Sequence, residues 1–245
     1  MTYDPIKQER DWYEQGTKPG GKIKPLPARH HYAHSVVRSK FGEALASLGC
    51  GNDSLILELG CGSGEDAPYS KDAAENAIGV DVSQPVLTRF NANGFQGVLA
   101  DVKKLPFKDE SFNYVVCSGL LHHLVGQGDM ADYVKEFTRV ARPGGYLVAL
   151  EPNVFHPSGM LMNIFNTLKP GITGLVPHER ALSPLWLSCV FRSAGLNDVN
   201  FIASSYVWNR LPLRMSQFLS THEDAIRKKK PFSLFGWFTV VWGRK

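Results

Sequence analysis

The chain has 245 residues, 43% of them apolar and 20% charged, the profile of a soluble globular protein of one domain or of one domain with an elaboration. Its 23 Gly and 15 Pro residues are too few for a low-complexity or disordered chain. The 27 basic and 23 acidic residues leave a net charge of +4. The single dense basic run, Arg227 to Lys230, reads as a solvated loop or helix end rather than a nucleic-acid-binding surface.

Cys50, Cys61, Cys117 and Cys189 form no CxxC pair and match no zinc-site spacing. They read as reduced thiols, three of them buried, and no metal is expected. The first ten residues are polar and do not read as a signal peptide, and no run of about 18 apolar residues offers a membrane span. The expected compartment is the reducing cytoplasm.

Residues 1–28 are polar and turn-rich and carry Tyr3, Trp12 and Tyr13; they read as a loosely held arm. From Arg29 to Leu48 the residues Val37, Phe41, Ala44, Leu45 and Leu48 recur at helical spacing, and Gly49 stops the helix. Ser54–Leu59 is a buried strand that runs into the turn Gly60-Cys-Gly-Ser-Gly64. Further strands are predicted at Ala77–Asp81, Phe95–Ala100, Phe112–Ser118 and Gly145–Leu150, with helices at 65–76, 83–93 and 128–141. The last of these helices is closed by Arg142-Pro-Gly-Gly145. Strands alternating with helices imply a doubly wound, Rossmann-like α/β sheet covered on both faces. After Pro152 the alternation pauses: residues 153–180 hold an apolar, Gly/Pro-punctuated stretch that includes Met160 to Phe165 and Leu175-Val176 and fits no strand. Ser183 caps a helix that has Pro184 at its first position and ends at Ala194. Val199–Ala203 and Phe235–Trp242 read as two last strands, which brings the sheet to seven, and the segment between them is long for a hairpin loop.

The chemistry is carried by Leu57-Glu-Leu-Gly-Cys-Gly-Ser-Gly64. Glycines at alternate positions after a buried strand let the backbone turn and bring bare amides close to a ligand. Asp81, at the end of the second strand, can accept both hydroxyls of a ribose. Asp101, at the end of the third, can read an adenine edge together with the Val102 amide. An adenosine-bearing ligand would lie across this carboxyl edge. A dinucleotide fingerprint, G-x-G-x-x-G/A, is the competitor. Here Glu65 occupies its third glycine position, where it would repel a diphosphate. S-adenosylmethionine, a sulfonium without phosphate, suits the turn better.

Together with Gly79-Val-Asp-Val-Ser83, Ala100-Asp-Val-Lys-Lys-Leu-Pro-Phe107, Asp109-Glu-Ser-Phe-Asn-Tyr-Val-Val116 and Arg139-Val-Ala-Arg-Pro-Gly-Gly145, this run resembles the class I S-adenosylmethionine-dependent methyltransferases, in particular their type 11 small-molecule branch. The resemblance is dense over residues 50–152 and looser to the end. It implies a mostly parallel sheet closed by an antiparallel last strand. It also implies an N-terminal arm and helix at 1–50 acting as a lid, a cofactor-binding core at 51–152, a lid insertion at 153–182, and a C-terminal helix with closing strands at 183–245. Carried over residue by residue, Glu58, Gly60, Cys61, Gly62 and Gly64 surround the methionine part of the cofactor. Asp81 holds the ribose, Val82 packs on the adenine, Asp101 and Val102 read its amino group, and Ser118 lies under the cofactor backbone. S-adenosylhomocysteine would be the product.

For the methyl acceptor, His122 and His123 follow the fourth strand. His123 is the first candidate for a base facing an acceptor hydroxyl; the alternative is that one His packs locally and the other is exposed. His156, His178 and the pair His30/His31 are further candidates. His178 and Arg180, in the triplet His178-Glu-Arg180, stand at the mouth of the site and suit either a charged or hydroxylated acceptor or a capping role. Glu151, ending the fifth strand, is near the cleft as a substrate contact or as support for a neighbour. Met160, Leu161, Met162, Ile164 and Phe165 make an adaptable apolar surface. It would line a pocket for an apolar or amphipathic acceptor, pack on the sheet, or, helped by Arg227 to Lys230, touch a membrane surface. The expected partner is a small-molecule acceptor methylated on O, N or C, and no nucleic acid. Methylation of protein or RNA, and a cofactor-binding regulator without turnover, are the alternatives. No motif encodes the oligomeric state.

Overall fold

A computed structural model describes residues 27–64, 67, 76–169, 178–229 and 232–245. The helix expected at 65–76 lies almost wholly outside the described residues, as do the N-terminal aromatic arm, Leu175-Val176, Glu65 and Lys230.

The first helix, α1 (Ala28–Ser47), turns Ala33, Val37, Phe41 and Leu45 inward at four-residue spacing. The strand β1 (Ile56–Leu59) is buried along its whole length, as a central strand covered on both faces must be. The remaining strands are β2 (Ala77–Asp81), β3 (Gln96–Leu99), β4 (Phe112–Ser118), β5 (Ala141–Pro152), β6 (Asn197–Ser205) and β7 (Phe238–Arg244). They form one seven-stranded sheet in the order β3-β2-β1-β4-β5-β7-β6. The sheet is parallel from β3 to β5, and β7 runs antiparallel to both of its neighbours. The doubly wound α/β sheet with its antiparallel last strand is therefore the fold observed.

Successive strand residues point to opposite faces, so the sheet carries two cores. Leu57, Leu59, Val115, Cys117, Leu147 and Ala149 pack toward Val134 and Phe137 of α4 (Met130–Val140) and Leu187 and Phe191 of α6 (Pro184–Ser193). Ile56, Val116, Val148 and Leu150 pack toward Val37, Phe41 and Leu45 of α1. Each buried aliphatic or Phe side chain contributes about 1.5–3 kcal/mol. Between these elements lie α2 (Gln84–Ala92) and the one-turn α3 (Leu121–Leu124). Ser183 caps α6 as expected, its side chain accepting from the Trp186 amide at 3.4 Å.

The structure corrects one of these expectations and fills in two others. Arg142 to Gly145 does not stop α4; it begins β5, with a register shift opposite Phe112 and Tyr114. The chain's last residue recruits it: the Gly144 amide donates to the Lys245 carbonyl, and Lys245 Nζ donates to the carbonyls of Arg139 and Ala141. Second, the stretch after β5 holds a helix, α5 (Pro157–Leu168), whose buried residues are Gly159 and Asn166. Met160, Leu161, Ile164, Phe165 and Leu168 are all exposed, so its apolar face does not pack on the sheet. Third, the long segment before β7 contains α7 (Leu213–Arg227), whose buried residues are Ser216 and Glu223. Apolar periodicity misses a helix that turns polar side chains inward. Of the cysteines, Cys61 and Cys117 are buried, Cys50 is half-buried and Cys189 exposed, and all four are free. Among the described residues no helix is long and apolar enough to cross a membrane.

His156 caps α5: its Nδ1 accepts from the Ser158 amide at 3.2 Å, and its ring meets Trp208 edge-on at 5.6 Å. Burial pushes its pKa down to about 4, against about 6.5 for an unfolded His. The neutral ring is the folded form, so the stability it supports is complete above pH 6.5 or so and is lost as the pH falls toward 4. The urea midpoint should drop over that interval in the wild type and drop less in His156→Asn, which keeps a cap acceptor. Parallel pH profiles for the two would remove His156 as the cause.

Candidate active site

The carboxyl edge of the sheet is built first from the glycine turn after β1. The Gly60 and Cys61 amides donate to the Val80 carbonyl at 2.8 and 3.1 Å. The Gly62 amide donates to Asp81 Oδ2 at 3.1 Å, and the Ser83 amide to Asp81 Oδ1 at 2.9 Å. Asp81 thus ties the turn of β1 to the end of β2. Gly62 has φ +55°, and among the described residues nothing lies within 4 Å of where a Cβ would be. Gly64, at φ +78°, is instead boxed in by Phe90 and Phe95.

Cys61 contributes backbone only. Its side chain packs with Leu87 and Phe90, and burial, aided by the nearby Glu58 and Asp81 carboxylates, pushes its thiol pKa far up. Glu58 is buried in β1 between Gly79 and Val116. Val82 is half-buried after β2, and Ser118 half-buried at the end of β4. Asp101 Oδ1 accepts from the Lys103 amide at 2.9 Å, while the Val102 side chain is buried in the core. The loop they begin is clamped from α4. Arg139 Nη1 donates to the Phe107 carbonyl and to Asp109, and Nη2 to the Leu105 carbonyl and Glu136. Glu136 in turn accepts from the Leu105 amide at 2.7 Å. The Arg139 guanidinium holds the Glu136 carboxyl below its usual pKa.

The second half of the site stands on Glu151, 1% exposed at the end of β5. Its Oε1 accepts from the amides of Leu120 and Leu121 at 3.1 and 2.7 Å. Its Oε2 accepts from the His122 amide at 3.2 Å and lies 2.8 Å from His122 Nδ1. The His123 ring sits 4.0 Å from that of His122, centroid to centroid, and its Nδ1 is 3.2 Å from Glu179 Oε1. Glu179 is only 4% exposed. Its position comes from α5: Asn166 Nδ2 donates to the Glu179 carbonyl, while Asn163 both donates to the Ala181 carbonyl and accepts from the Ala181 amide. Gln127 links the remaining member, reaching the His123 carbonyl at 2.8 Å and His178 Nε2 at 3.2 Å. The Arg180 amide donates to the His122 carbonyl, and Arg180 Nη1 to the Glu179 carbonyl. The two halves touch at Leu120, whose side chain occupies the place a Cβ on Gly60 would take.

His122, His123, Glu151, His178 and Arg180 therefore converge. His156 caps α5, and His30 stacks on His34 in α1, so these stand apart. Glu179, Gln127, Asn163 and Asn166 were not singled out from the sequence. Glu179 was visible only as the middle of a polar triplet, and the two Asn only as polar interruptions of an apolar run.

Strand order and glycine turn are those of the class I S-adenosylmethionine-dependent methyltransferase fold, in which the ligand edge lies at the carboxyl ends of the strands. Residues 57–149 match the family described as "Methyltransferase domain". The chain is 32% identical over 96 residues to the human "Probable tRNA methyltransferase 9B", a match that covers 39% of this chain and 20% of that protein. It is 31% identical over 166 residues to a probable S-adenosylmethionine-dependent methyltransferase of Mycolicibacterium smegmatis, covering 66% and 57%. The crystal structure of a Thermotoga maritima S-adenosylmethionine-dependent methyltransferase, described as a possible histamine N-methyltransferase, is similar with a TM-score of 0.64 and 18% identity, covering 98% of both chains. The chain thus spans about a fifth of the length of its human relative.

Removing the Glu151 carboxylate leaves three backbone amides and an imidazole without their acceptor. Glu151→Ala should cost about 3–5 kcal/mol of stability, read as a lowered urea midpoint. A change under about 1 kcal/mol would show that this carboxylate does not hold the loop.

Proposed function

We propose that the protein transfers the methyl group of S-adenosylmethionine to a small-molecule acceptor seated against the His122–His123 pair. The observation that carries this reading is that two imidazoles, each beside a carboxylate, stand on the same sheet edge as the glycine turn and are joined to it through Leu120 on Gly60. The residues present fit the cofactor. Gly62 offers backbone that no described residue crowds, and Asp81 and Asp101 stand where β2 and β3 end, placed for a ribose and an adenine edge. Glu58, Gly60, Cys61 and Gly64 would surround the methionine end, Val82 and Val102 the adenine, and Ser118 the cofactor's underside.

The cofactor, when bound, supplies a methyl group already activated on a sulfonium. The chain's own residues are left with approach geometry and exclusion of water, effects that reach about 7–11 kcal/mol in well-oriented systems. A proton has to be removed only when the acceptor is a hydroxyl or a similar acid. His122 is the better-oriented base. Glu151 fixes its Nδ1 as the protonated nitrogen and so leaves the lone pair on Nε2, as in carboxylate–imidazole dyads. His123 remains the second candidate, paired with Glu179. Residues 153–182 serve as the covering segment, and the outward apolar residues of α5 support an apolar or amphipathic acceptor.

RNA or protein acceptors are the second reading, favoured by the name of the human relative. The modest charge of +4 weighs against RNA. Incubation with methyl-labelled cofactor and separated metabolite, RNA and protein pools decides between them. Label in the metabolite pool is expected, and label confined to RNA or protein would replace the small-molecule acceptor. Binding of S-adenosylhomocysteine with no labelled product in any pool would leave a regulator. Calorimetry should give saturable binding of S-adenosylhomocysteine and none of NADH, and the reverse result would overturn the cofactor.

Asp81→Ala should weaken S-adenosylhomocysteine about ten- to a hundredfold, the worth of one charge-assisted hydrogen-bond group. His122→Ala should leave that affinity within about twofold while lowering turnover on a hydroxyl acceptor about a hundredfold. Turnover above roughly a tenth of normal would end the base role.

A further inference from the structure

We propose that His122, His123 and Glu179 form a binding site for one divalent transition-metal ion at the acceptor side of the cleft. The spacing of Cys and His along the chain suggests no such site, but the fold assembles one from α3 and the strap after α5. One ligating atom from each of the three residues lies within 4.8 Å of those of the other two. His123 Nδ1 and Glu179 Oε1 are already 3.2 Å apart, close to the roughly 3.4 Å edge of a tetrahedron with metal–ligand bonds of about 2.1 Å.

The surroundings orient the ligands as metal sites require. Glu151 holds His122 Nδ1 at 2.8 Å, which turns Nε2 toward coordination; a carboxylate behind an imidazole is the usual means of fixing the tautomer and ring of a metal-bound His. Gln127 and the carbonyl of His123 fix the second His, and Asn166 on the Glu179 carbonyl fixes the carboxylate's backbone. Glu179 is 4% exposed, so its carboxylate is set toward the histidines before any ion arrives.

Two imidazoles and one carboxylate suit Zn2+, Co2+, Ni2+, Mn2+ or Fe2+ rather than Mg2+ or Ca2+, which take oxygen ligands. Three protein ligands leave at least one coordination position for another group. Resting on the methyl-transfer reading, that position would take an acceptor hydroxyl, best with a second oxygen able to chelate. Coordination lowers the pKa of a bound hydroxyl, so the ion would replace a free imidazole in preparing the acceptor.

The test uses the full chain carrying Cys189→Ser, which removes the exposed thiol as a competing ligand. Titration with Co2+, followed by visible absorption and calorimetry, should give one saturable equivalent with d–d bands, displaced by Zn2+ and unaffected by equimolar Mg2+. Glu179→Gln and His122→Asn, added singly to that background, should each weaken Co2+ at least tenfold, with far-UV dichroism confirming that each is folded. No saturable Co2+ uptake, or uptake as tight in either folded variant, would overturn the site. S-adenosylhomocysteine is titrated on the same samples. Binding of it without Co2+ sinks the metal site alone, whereas Co2+ uptake without it supports the metal site and sinks the methyl-transfer reading.

Discussion

A buried carboxylate at the end of β5 organises the chain around the His122–His123 pair. Glu151 is desolvated, and a carboxylate removed from water must be met by donors. It is met by three consecutive backbone amides, from Leu120 to His122, and by the His122 ring. Satisfying one side chain therefore fixes the path of the chain leaving β4. The same turn of chain carries Leu120 onto Gly60, so the loops after β1 and β4 and the end of β5 behave as one unit. Asp81 performs the corresponding task on the cofactor side, where it gathers the amides of Gly62 and Ser83. In both places a carboxylate at the carboxyl edge of a strand holds a neighbouring loop.

The helix α5 inverts the usual arrangement. Its inward face carries Asn163 and Asn166, and its outward face Met160, Leu161, Ile164, Phe165 and Leu168. The two Asn are turned inward onto the strap Glu179–Ala181, where they bond the Glu179 carbonyl and both backbone groups of Ala181. That strap delivers Glu179 to His123. The polar face of α5 thus places Glu179 beside His123, and its apolar face, bounded by His156 at the N-cap, is left outward.

The family match spans residues 57–149 and so contains the glycine turn, Asp81, Asp101 and the His pair, but neither Glu151 nor Glu179. The half of the edge that suits the cofactor is the half held in common. The carboxylates beside His122 and His123, Glu151 and Glu179, come from beyond the matched span.

Much of this was legible in the amino-acid sequence. The alternation of apolar runs and amphipathic helices predicted the five parallel strands and the helices at α1, α2, α4 and α6, because those elements bury apolar residues at the period their geometry demands. The glycine turn and the acids ending β2 and β3 were legible for a related reason: each is local, set by its place at a strand's end. The helices α5 and α7 were not legible, since their buried positions are Gly159, Asn166, Ser216 and Glu223. Nor could spacing show that Arg142 to Gly145 would be drawn into β5 by Lys245. Local pattern determined the sheet and its cofactor edge. Only the tertiary structure decided which histidine meets Glu151 and which meets Glu179, because those pairings join residues far apart in the chain, and their partners are chosen by packing rather than by sequence period.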